Sequence, residues 1–230
     1  MTTSPMVTGI VRWVGGVMLI VASLALSPAA HGQAEVKPGI KVGANLASFG
    51  GGDADRFFEG ADEQFRTGVV LGGFVTIDPA GPFALQTELL YIQEGVQAEG
   101  TLSETTVTYK INYIEVPILA KLQIPVTGPL TPTFFAGPSV GVPVSETVEL
   151  EQSGSSSSRS IDDLIDPTDV GVHVGGGLDI AAGTVEVTLD LRYQIGVTSI
   201  FRQGENEVLD RAGVEDIKNR GIGITAGLAF

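Results

Sequence analysis

Apolar and polar residues alternate with a period of two along most of this chain, and no other feature of the sequence constrains the fold as strongly. Such alternation predicts β-strands that have one apolar and one polar face. The clearest example is the carboxyl-terminal end, where Ile222, Ile224 and Leu228 alternate with glycine, threonine and alanine. Eight segments of this kind, bounded by clusters of Gly, Pro, Asp or Ser, occupy residues 37–48, 65–78, 82–96, 106–125, 131–145, 168–182, 184–200 and 217–230.

The alternation fits two architectures that turn the apolar face in opposite directions. In segment 184–200, Leu189 and Leu191 lie on one face, and Thr188 and Arg192 on the other. A soluble sandwich would bury the apolar face, whereas an outer-membrane barrel turns that face to lipid and lines its interior with the polar one.

The connections between the segments favour the barrel, because long and short connections alternate along the chain. Barrels inserted from the periplasm have short turns on that side and longer loops outside, and an even strand number places both termini beside the short turns. A secreted sandwich or a soluble barrel predicts no such alternation. The sequence therefore predicts an all-β protein, an eight-stranded antiparallel up-and-down transmembrane β-barrel. The long connections are 49–64, 97–105, 146–167 and 201–216, and the short ones are 79–81, 126–130 and the region of residue 183.

The composition excludes several other classes of protein. Hydrophobic residues make up 43% of the chain and charged residues 17%, which is too apolar for a disordered protein and unlike a coiled coil. The formal net charge of −14 argues against a nucleic-acid partner, because a phosphate backbone would be repelled. There is no cysteine, which excludes disulfides, thiol catalysis and Cys-ligated metals.

The amino-terminal segment has the features of a secretory signal peptide. It carries one charge, Arg12, followed by the apolar run 14–26 and a stretch of small residues. We expect cleavage after Ala34, with Ala30 as the second choice. An uncleaved membrane anchor is the alternative, although the apolar run is shorter than the roughly 20 residues of a spanning helix. The predicted organisation is a cleaved signal peptide over 1–34 and a single outer-membrane barrel domain over 35–230.

Several segments resemble one family of bacterial proteins. The Tyr-Ile-Glu-Val-Pro and Arg-Tyr blocks are the most specific, and the chain is similar through them to the small outer-membrane protein β-barrel domain family, often labelled the porin family. The resemblance implies location in the bacterial outer membrane and a barrel architecture. It implies no enzyme activity, and it implies that Phe230 is the final aromatic residue read by the barrel-assembly machinery. The resembling segments are 39–45, 88–95, 113–122, 136–141, 191–196 and 227–230.

Few residues offer catalytic chemistry. Of the two histidines, His31 would leave with the signal peptide, and His173 shares strand parity with glycines of the polar face. A lipid hydrolase on the barrel wall would need its histidine to face lipid, so we expect no enzyme activity. The serine-rich stretch 153–158 is interpreted as a flexible loop tip, since nothing fixes a hydroxyl beside a base. We predict no cofactor.

Acidic residues are concentrated in or around three of the predicted outer loops. Carboxylate oxygens are ligands for hard cations, so calcium or magnesium could bridge these loops to anionic lipopolysaccharide. The alternative is a simply soluble surface, because no run has the spacing of an EF-hand. The residues are Asp53, Asp55, Glu59, Asp62, Glu63, Asp162, Asp163, Asp166, Asp169, Glu205, Glu207, Asp210, Glu215 and Asp216.

Five charged residues with inward parity form a predicted lumen charge network, namely Glu88, Glu115, Lys121, Asp190 and Arg192. If the third and fourth segments pair around residues 101–102, Glu88 directly faces Glu115, and the two carboxylates repel. The seventh strand of an eight-stranded ring lies opposite the third. We therefore predict that Arg192 bridges both carboxylates, with Lys121 one turn lower as a supporting charge. Separately hydrated side chains in a wet lumen are the alternative.

The expected function is a structural or surface-interaction role in the outer membrane, with a side-chain-filled lumen and acidic extracellular loops. About eight strands leave an interior just filled by side chains, which disfavours the alternative of a narrow passive pore. A lipid-modifying enzyme is the second alternative. The expected partners are outer-membrane lipid, lipopolysaccharide and the barrel-assembly machinery, and the protein is expected to be monomeric.

Overall fold

The computed structural model describes residues 34–59, 61–79, 81–100, 105–152, 155–161, 164–201 and 213–230, which form one antiparallel sheet closed into a ring. Eight strands make up the ring, because β4 pairs with β5 and β1 pairs with β9. The predicted eight-stranded barrel is thus confirmed, whereas the predicted signal peptide lies outside the described residues apart from Ala34. The elements are β1 Glu35–Gly50, α1 Ala54–Phe57, β2 Ala61–Asp78, β3 Phe83–Gly100, β4 Thr105–Gln123, β5 Leu130–Gln152, β6 Ser155–Ser160, β7 Asp169–Ala182, β8 Val185–Gly196 and β9 Lys218–Ala229.

The apolar face of each ring strand is turned outward, as predicted. Ile224 is 64% exposed whereas the next residue, Thr225, is 2% exposed. An apolar outer face with a polar inner face is the arrangement of a barrel in lipid, the reverse of a soluble sandwich. Every ring strand contributes to this apolar belt, with Ile40, Leu71, Leu85, Ile118, Phe134, Val174, Leu191 and Ile224 as examples from successive strands.

The two ends of the ring differ as the lengths of the connections predict. The short connections β2–β3, β4–β5 and β7–β8 lie at one end, together with the first residues of β1 and the last of β9. The turn after β7 contains Gly183 with φ +72°, a conformation that favours glycine. The rule for such barrels makes this the periplasmic end and the opposite end the outer one.

The strands run further toward the outer end than the sequence predicts. The expected loop 97–105 is largely strand, since β3 continues to Gly100 and β4 begins at Thr105. The interpretation of the serine-rich stretch as a flexible loop tip is also wrong, because Ser155–Ser160 forms β6, which pairs with the outer end of β5. The sequence shows no sign of these extensions because they lack apolar alternation. A strand shows that alternation only where one of its faces meets lipid, and crossing the membrane takes about 9–11 residues. No helix in the described part of the chain is long and apolar enough to cross a membrane.

The register of β3 against β4 differs from the prediction by two residues. Leu90, and not Glu88, is paired with Glu115. The predicted direct opposition of Glu88 and Glu115 is therefore wrong. A shift of two residues keeps every side chain on its predicted face, so both carboxylates still point inward and are buried.

Candidate functional site: the lumen and its outer cap

Four buried charged side chains meet in the middle of the lumen. The Arg192 guanidinium donates from both terminal nitrogens to Glu88, at 2.7 and 3.1 Å. Lys41 Nζ donates to Glu88 Oε1 at 2.6 Å and to Asp190 Oδ2 at 2.7 Å. Arg192 Nη2 lies 3.7 Å from Asp190. Two cations thus balance two carboxylates, and none of the four side chains is more than 5% exposed.

This cluster joins opposite walls of the barrel. Glu88 lies on β3 and Arg192 on β8, four strands apart in either direction around the ring. A bidentate guanidinium–carboxylate pair fixes both distance and orientation, so it holds the two walls at a set separation. A second cross-barrel contact lies nearer the outer end, where Asn219 Nδ2 on β9 donates to Tyr113 Oη on β4 at 3.1 Å.

The neighbouring side chains leave room for the cluster and pack against it. A Cβ atom at Gly175 would lie 2.6 Å from the Phe135 ring, and one at Gly223 would lie 3.1 Å from Arg192 Cγ. The Arg192 guanidinium carbon lies 5.5 Å from the centroid of the Phe135 ring, close enough for a cation–π contact. Inward glycines of β7 and β9 thus provide space for long charged side chains from other strands.

The remaining predicted network residues lie in separate contacts. Lys121 donates to Asp179 Oδ2 at 3.0 Å, in a buried pair outside the central cluster. Glu115 is not contacted by Arg192 within hydrogen-bonding distance, and instead lies 2.9 Å from His173 Nε2. The prediction that Arg192 bridges Glu88 and Glu115 is therefore wrong, and the shifted register is one reason.

Lys41 and Asp179 belong to these contacts but were not among the predicted site residues. The signal for Lys41 was available, because Ile40 and Val42 are apolar and outward, which places Lys41 inward by alternation. Its partners could not be inferred, since they lie on β3 and β8 and depend on the shear of the closed barrel.

His173 has the neighbours of a catalytic triad without the geometry of one. Its Nε2 atom lies 2.9 Å from Glu115 Oε1 and 3.1 Å from Ser139 Oγ. A Ser–His–acid triad requires the hydroxyl and the carboxylate at different ring nitrogens, so that one nitrogen accepts while the other donates. His173 is also fully buried inside the lumen.

Apolar residues from the outer ends of the strands and from the outer loops pack together across the outer end of the ring. Phe49, Phe57, Tyr109 and Phe201 come from three separate parts of the chain, and the distances between their ring centroids range from 5.5 to 6.4 Å. We call this cluster the outer cap. Its buried members are Phe49, Val96, Ile111, Tyr113, Ile161, Ile165, Ile200, Phe201, Val214 and Ile217.

Two aspartates tie the first outer loop to the segment that precedes β9. Asp53 Oδ2 accepts the backbone N–H groups of Asp216 and Glu215 at 3.0 and 3.1 Å, and Asp216 Oδ2 accepts that of Gly52 at 2.8 Å. We call this arrangement the loop clamp. The backbone donors from Asp216 and Glu215 lower the pKa of the Asp53 carboxyl, because they favour its ionised form.

The loop clamp is expected to open in acid. A carboxylate whose pKa is lowered in the folded state stabilises that state above its ordinary pKa, and the contribution is lost as the pH falls through the lowered value. In NMR spectra of the barrel in micelles, the Asp53 carboxyl carbon and the Glu215 amide should titrate with one midpoint below the ordinary value of 3.8. Asp53→Asn should abolish that shared midpoint. A midpoint at or above 3.8 would contradict the clamp.

The cation-binding prediction for the acidic loops is not tested. Asp53 and Asp216 direct carboxylate oxygens at backbone donors, and in the ranges described no group of three or more His, Asp or Glu is arranged to hold a metal ion. Five of the predicted acidic residues lie outside the described residues. These are Asp162, Asp163, Glu205, Glu207 and Asp210.

Phe230 lies at the periplasmic end of the ring. Its backbone N–H donates to the carbonyl oxygen of Pro38 at 2.9 Å, which continues the pairing of β9 with β1 by one residue. Its side chain is 58% exposed. The last residue is therefore held by its backbone while its ring is presented outward.

A closed eight-stranded ring with an apolar outer face and buried ion pairs inside defines a small outer-membrane β-barrel protein of bacteria. The chain belongs to the outer membrane protein beta-barrel domain family, whose model matches residues 27–202, and it is a protein of the bacterial outer membrane. β9, which closes the ring, lies beyond the matched range. No curated protein sequence matches the chain significantly.

Similar solved structures are small outer-membrane barrels with low sequence identity to this chain. Neisserial surface protein A is 12% identical with a TM-score of 0.43, covering 85% of this chain and 97% of its own. The attachment invasion locus protein Ail of Yersinia pestis is 12% identical with a TM-score of 0.41, covering 85% and 99%. OprG from Pseudomonas aeruginosa is 12% identical with a TM-score of 0.44, covering 86% and 98%.

Proposed function

We propose that this protein is a structural and surface-interaction barrel whose interior is filled by side chains and whose outer loops contact a partner. The observation that carries the proposal is the Arg192–Glu88 pair across the middle of the barrel, together with Lys41 and Asp190. An eight-stranded ring is just wide enough for its inward side chains to fill it. The cluster occupies the cross-section through which a solute would have to pass.

The outer cap supports the same role. Its residues come from strands on several sides of the ring and from the outer loops, so they couple the loops to the barrel wall. The loop clamp adds polar contacts between the first loop and the segment before β9. Loops held in this way form a defined surface, which suits recognition by a partner.

The proposal includes no enzyme activity. His173 contacts Ser139 and Glu115 through one ring nitrogen and is buried within the lumen, away from lipid substrates. A hydrolase would need the serine and the carboxylate at opposite nitrogens of an accessible ring.

The proposed partners follow from the surfaces of the barrel. The apolar belt contacts outer-membrane lipid, lipopolysaccharide lies against the outer rim, and the exposed ring of Phe230 is available to the assembly machinery. Calcium or magnesium at the acidic loops remains part of the proposal. The barrel acts as a monomer, since a closed ring leaves no strand edge within the membrane.

Planar-bilayer recording tests this function. The purified barrel should insert without producing stable conductance steps, because the central cluster and the outer cap obstruct the lumen. Heat-modifiable migration of the same preparation on gels provides the control that the protein tested is folded. Reproducible conductance steps from folded wild-type protein would overturn the proposal in favour of a narrow pore.

A further inference from the structure

A groove on the outer wall of the barrel combines apolar side chains with one cation. Tyr193 and Ile222 are directly paired, and each is 41% exposed on the lipid-facing side. Phe65 of β2, which is 56% exposed, forms a further wall, and Gly221 and Arg220 complete the lining. The groove has a volume of about 270 Å³. A charged residue thus lies beside an apolar channel on a surface that faces the membrane.

Arg220 lies on the outward face of β9, at the outer boundary of the membrane. It is directly paired with Ile195, which is 45% exposed, and directly opposed residues of an antiparallel pair point to the same side of a sheet. β9 has 12 residues from Lys218 to Ala229 at the periplasmic end, and Arg220 is the third of them. A membrane strand crosses the hydrocarbon with about 9–11 residues. Arg220 therefore lies where acyl chains give way to headgroups.

Arg220 is paired with a carboxylate on the same surface. Its Nη2 atom donates to Glu63 Oε1 at 2.5 Å, and the same oxygen accepts a hydrogen bond from the Ser48 hydroxyl. The side chains of Arg220 and Glu63 are 39% and 28% exposed. Within the described ranges, Arg220 Nη1 and Glu63 Oε2 form no hydrogen bond. The pair therefore retains one donor group and one acceptor atom for a ligand.

The two adjacent opposite charges determine which headgroup matches this site. An anionic headgroup would be attracted by Arg220 but repelled by Glu63, and the net charge of −14 adds to the repulsion. A zwitterionic phosphoethanolamine group has a phosphate for the guanidinium and an ammonium that donates to the carboxylate. A phosphocholine group has the same charges, but its quaternary nitrogen has no N–H to donate. Phosphoethanolamine is therefore the best match.

We propose that the groove binds one phospholipid with a phosphoethanolamine headgroup. Its phosphate accepts from Arg220 Nη1, its ammonium donates to Glu63 Oε2, and an acyl chain lies along Ile222 between Phe65 and Tyr193. Arg220 and Ile222 are successive outward residues of β9, so the charge and the groove are close together. A phospholipid joins its headgroup to its chains through glycerol alone, which suits this short separation. In lipopolysaccharide a phosphoethanolamine group is attached to a sugar and lies further from the chains.

This inference rests on the proposed contact between the barrel and outer-membrane lipid, and it names the chemistry of one lipid. It can fail separately from the proposed function. A conducting barrel could still retain the phospholipid, and a closed barrel could still show no headgroup preference. Recording conductance and measuring lipid retention on one preparation of the barrel therefore distinguishes the two failures.

Retention of lipid by the purified barrel tests the proposal. The barrel is equilibrated in nanodiscs that contain equal amounts of phosphatidylethanolamine, phosphatidylglycerol and phosphatidylcholine with identical acyl chains. It is then transferred to a mild detergent and weighed by native mass spectrometry. We expect one phosphatidylethanolamine molecule to remain bound, about tenfold more strongly than the other two lipids, because each of these lacks the ammonium hydrogen bond to the carboxylate. Heat-modifiable migration confirms that the barrel is folded.

Two substitutions separate the contributions of the phosphate and the ammonium. Arg220→Met should weaken retention of phosphatidylethanolamine about tenfold, because the phosphate loses its charged donor. Glu63→Gln retains an acceptor for Ser48 but removes the negative charge, so the preference should move from phosphatidylethanolamine to phosphatidylglycerol. Lys110→Met is the matched control. Lys110 is also a partly exposed cation, 2.5 Å from Glu149, but it does not line the groove, so retention should be unchanged.

Equal retention of the three phospholipids by the wild-type barrel would overturn the proposal, since the headgroup would then not be recognised. The same preference in Arg220→Met or in Glu63→Gln as in the wild type would overturn the assigned contacts. Lipid A with and without phosphoethanolamine is added as a competitor. Displacement of the bound phospholipid by the modified form alone would overturn the choice of a phospholipid and assign the site to the glycolipid.

Discussion

Arg192→Met is expected to lower the free energy of unfolding by about 3 to 5 kcal/mol, the usual cost of breaking a buried ion pair by removing one partner. In this variant Lys41 would be the remaining cation of the described cluster, beside Glu88 and Asp190, which are both buried. Methionine fills part of the volume of arginine, so most of the loss comes from the uncompensated carboxylate. Urea unfolding of the barrel in lipid vesicles measures the effect.

Second substitutions distinguish the effect of the lost charge in Arg192→Met from the effect of the lost packing. Glu88→Gln in the Arg192→Met background restores the balance of one cation and one carboxylate, and should recover much of the loss. Glu115→Gln should not, because Glu115 contacts His173 and not Arg192. Lys37→Met provides a milder control, since the Lys37–Glu186 pair at the rim is partly exposed and should be worth less than about 1 kcal/mol. Unchanged stability of Arg192→Met would contradict the central role of this cluster.

A charge on the lipid-facing side of the barrel should produce the second large effect. Ile224→Arg and Leu189→Arg each place a cation on the apolar belt, at side chains that are 64% and 45% exposed. Charges of this kind cost about 2–4 kcal/mol near the middle of the bilayer. We therefore expect both variants to yield less folded, heat-modifiable barrel in vesicles than the wild type.

The control for this experiment must also face lipid. Val36→Arg meets this requirement at the periplasmic rim, where the same charge should cost about 0–1 kcal/mol. The sequence alone predicts that Thr188→Arg impairs insertion far less than Leu189→Arg or Ile224→Arg, because Thr188 points inward. Thr188 is buried at 3% exposure, and a Cβ at Gly227 would lie 2.5 Å from its hydroxyl, so arginine would not fit there. Equal yields from Val36→Arg and Ile224→Arg would contradict the assigned depth.

Alternation along the chain was sufficient to predict the eight strands of the ring and which of their residues face outward. It could not predict the register, because a shift of two residues leaves the pattern unchanged. Glu88 and Glu115 are the example: both point inward as predicted, but Leu90 is the residue paired with Glu115. The register depends on how many residues form the turn between two strands. Alternation with a period of two residues contains no information about the length of the turn.

The outer cap and β6 could not be predicted for a different reason. Ile165, Phe201 and Val214 lie in or beside connections, where apolar residues follow no period and give no sign of their partners. In β6 the serines have neither apolar alternation nor a strong strand preference. The outer cap forms through contacts between distant parts of the chain, whereas β6 pairs with the adjacent end of β5. In neither case does a local apolar pattern mark the contact.

The central cluster also has a consequence for assembly. Lys41 lies in the first strand of the ring, and its partner Asp190 is 149 residues later, while Arg192 is 104 residues from Glu88. Glu88 is therefore paired with Arg192 only after β8 has joined the sheet. A partly assembled ring would contain unpaired charged side chains in its interior. Contacts this distant in sequence make folding slow, because the chain must lose much of its freedom before they form. We expect closure to be cooperative, with few stable intermediates between an open sheet and the finished barrel.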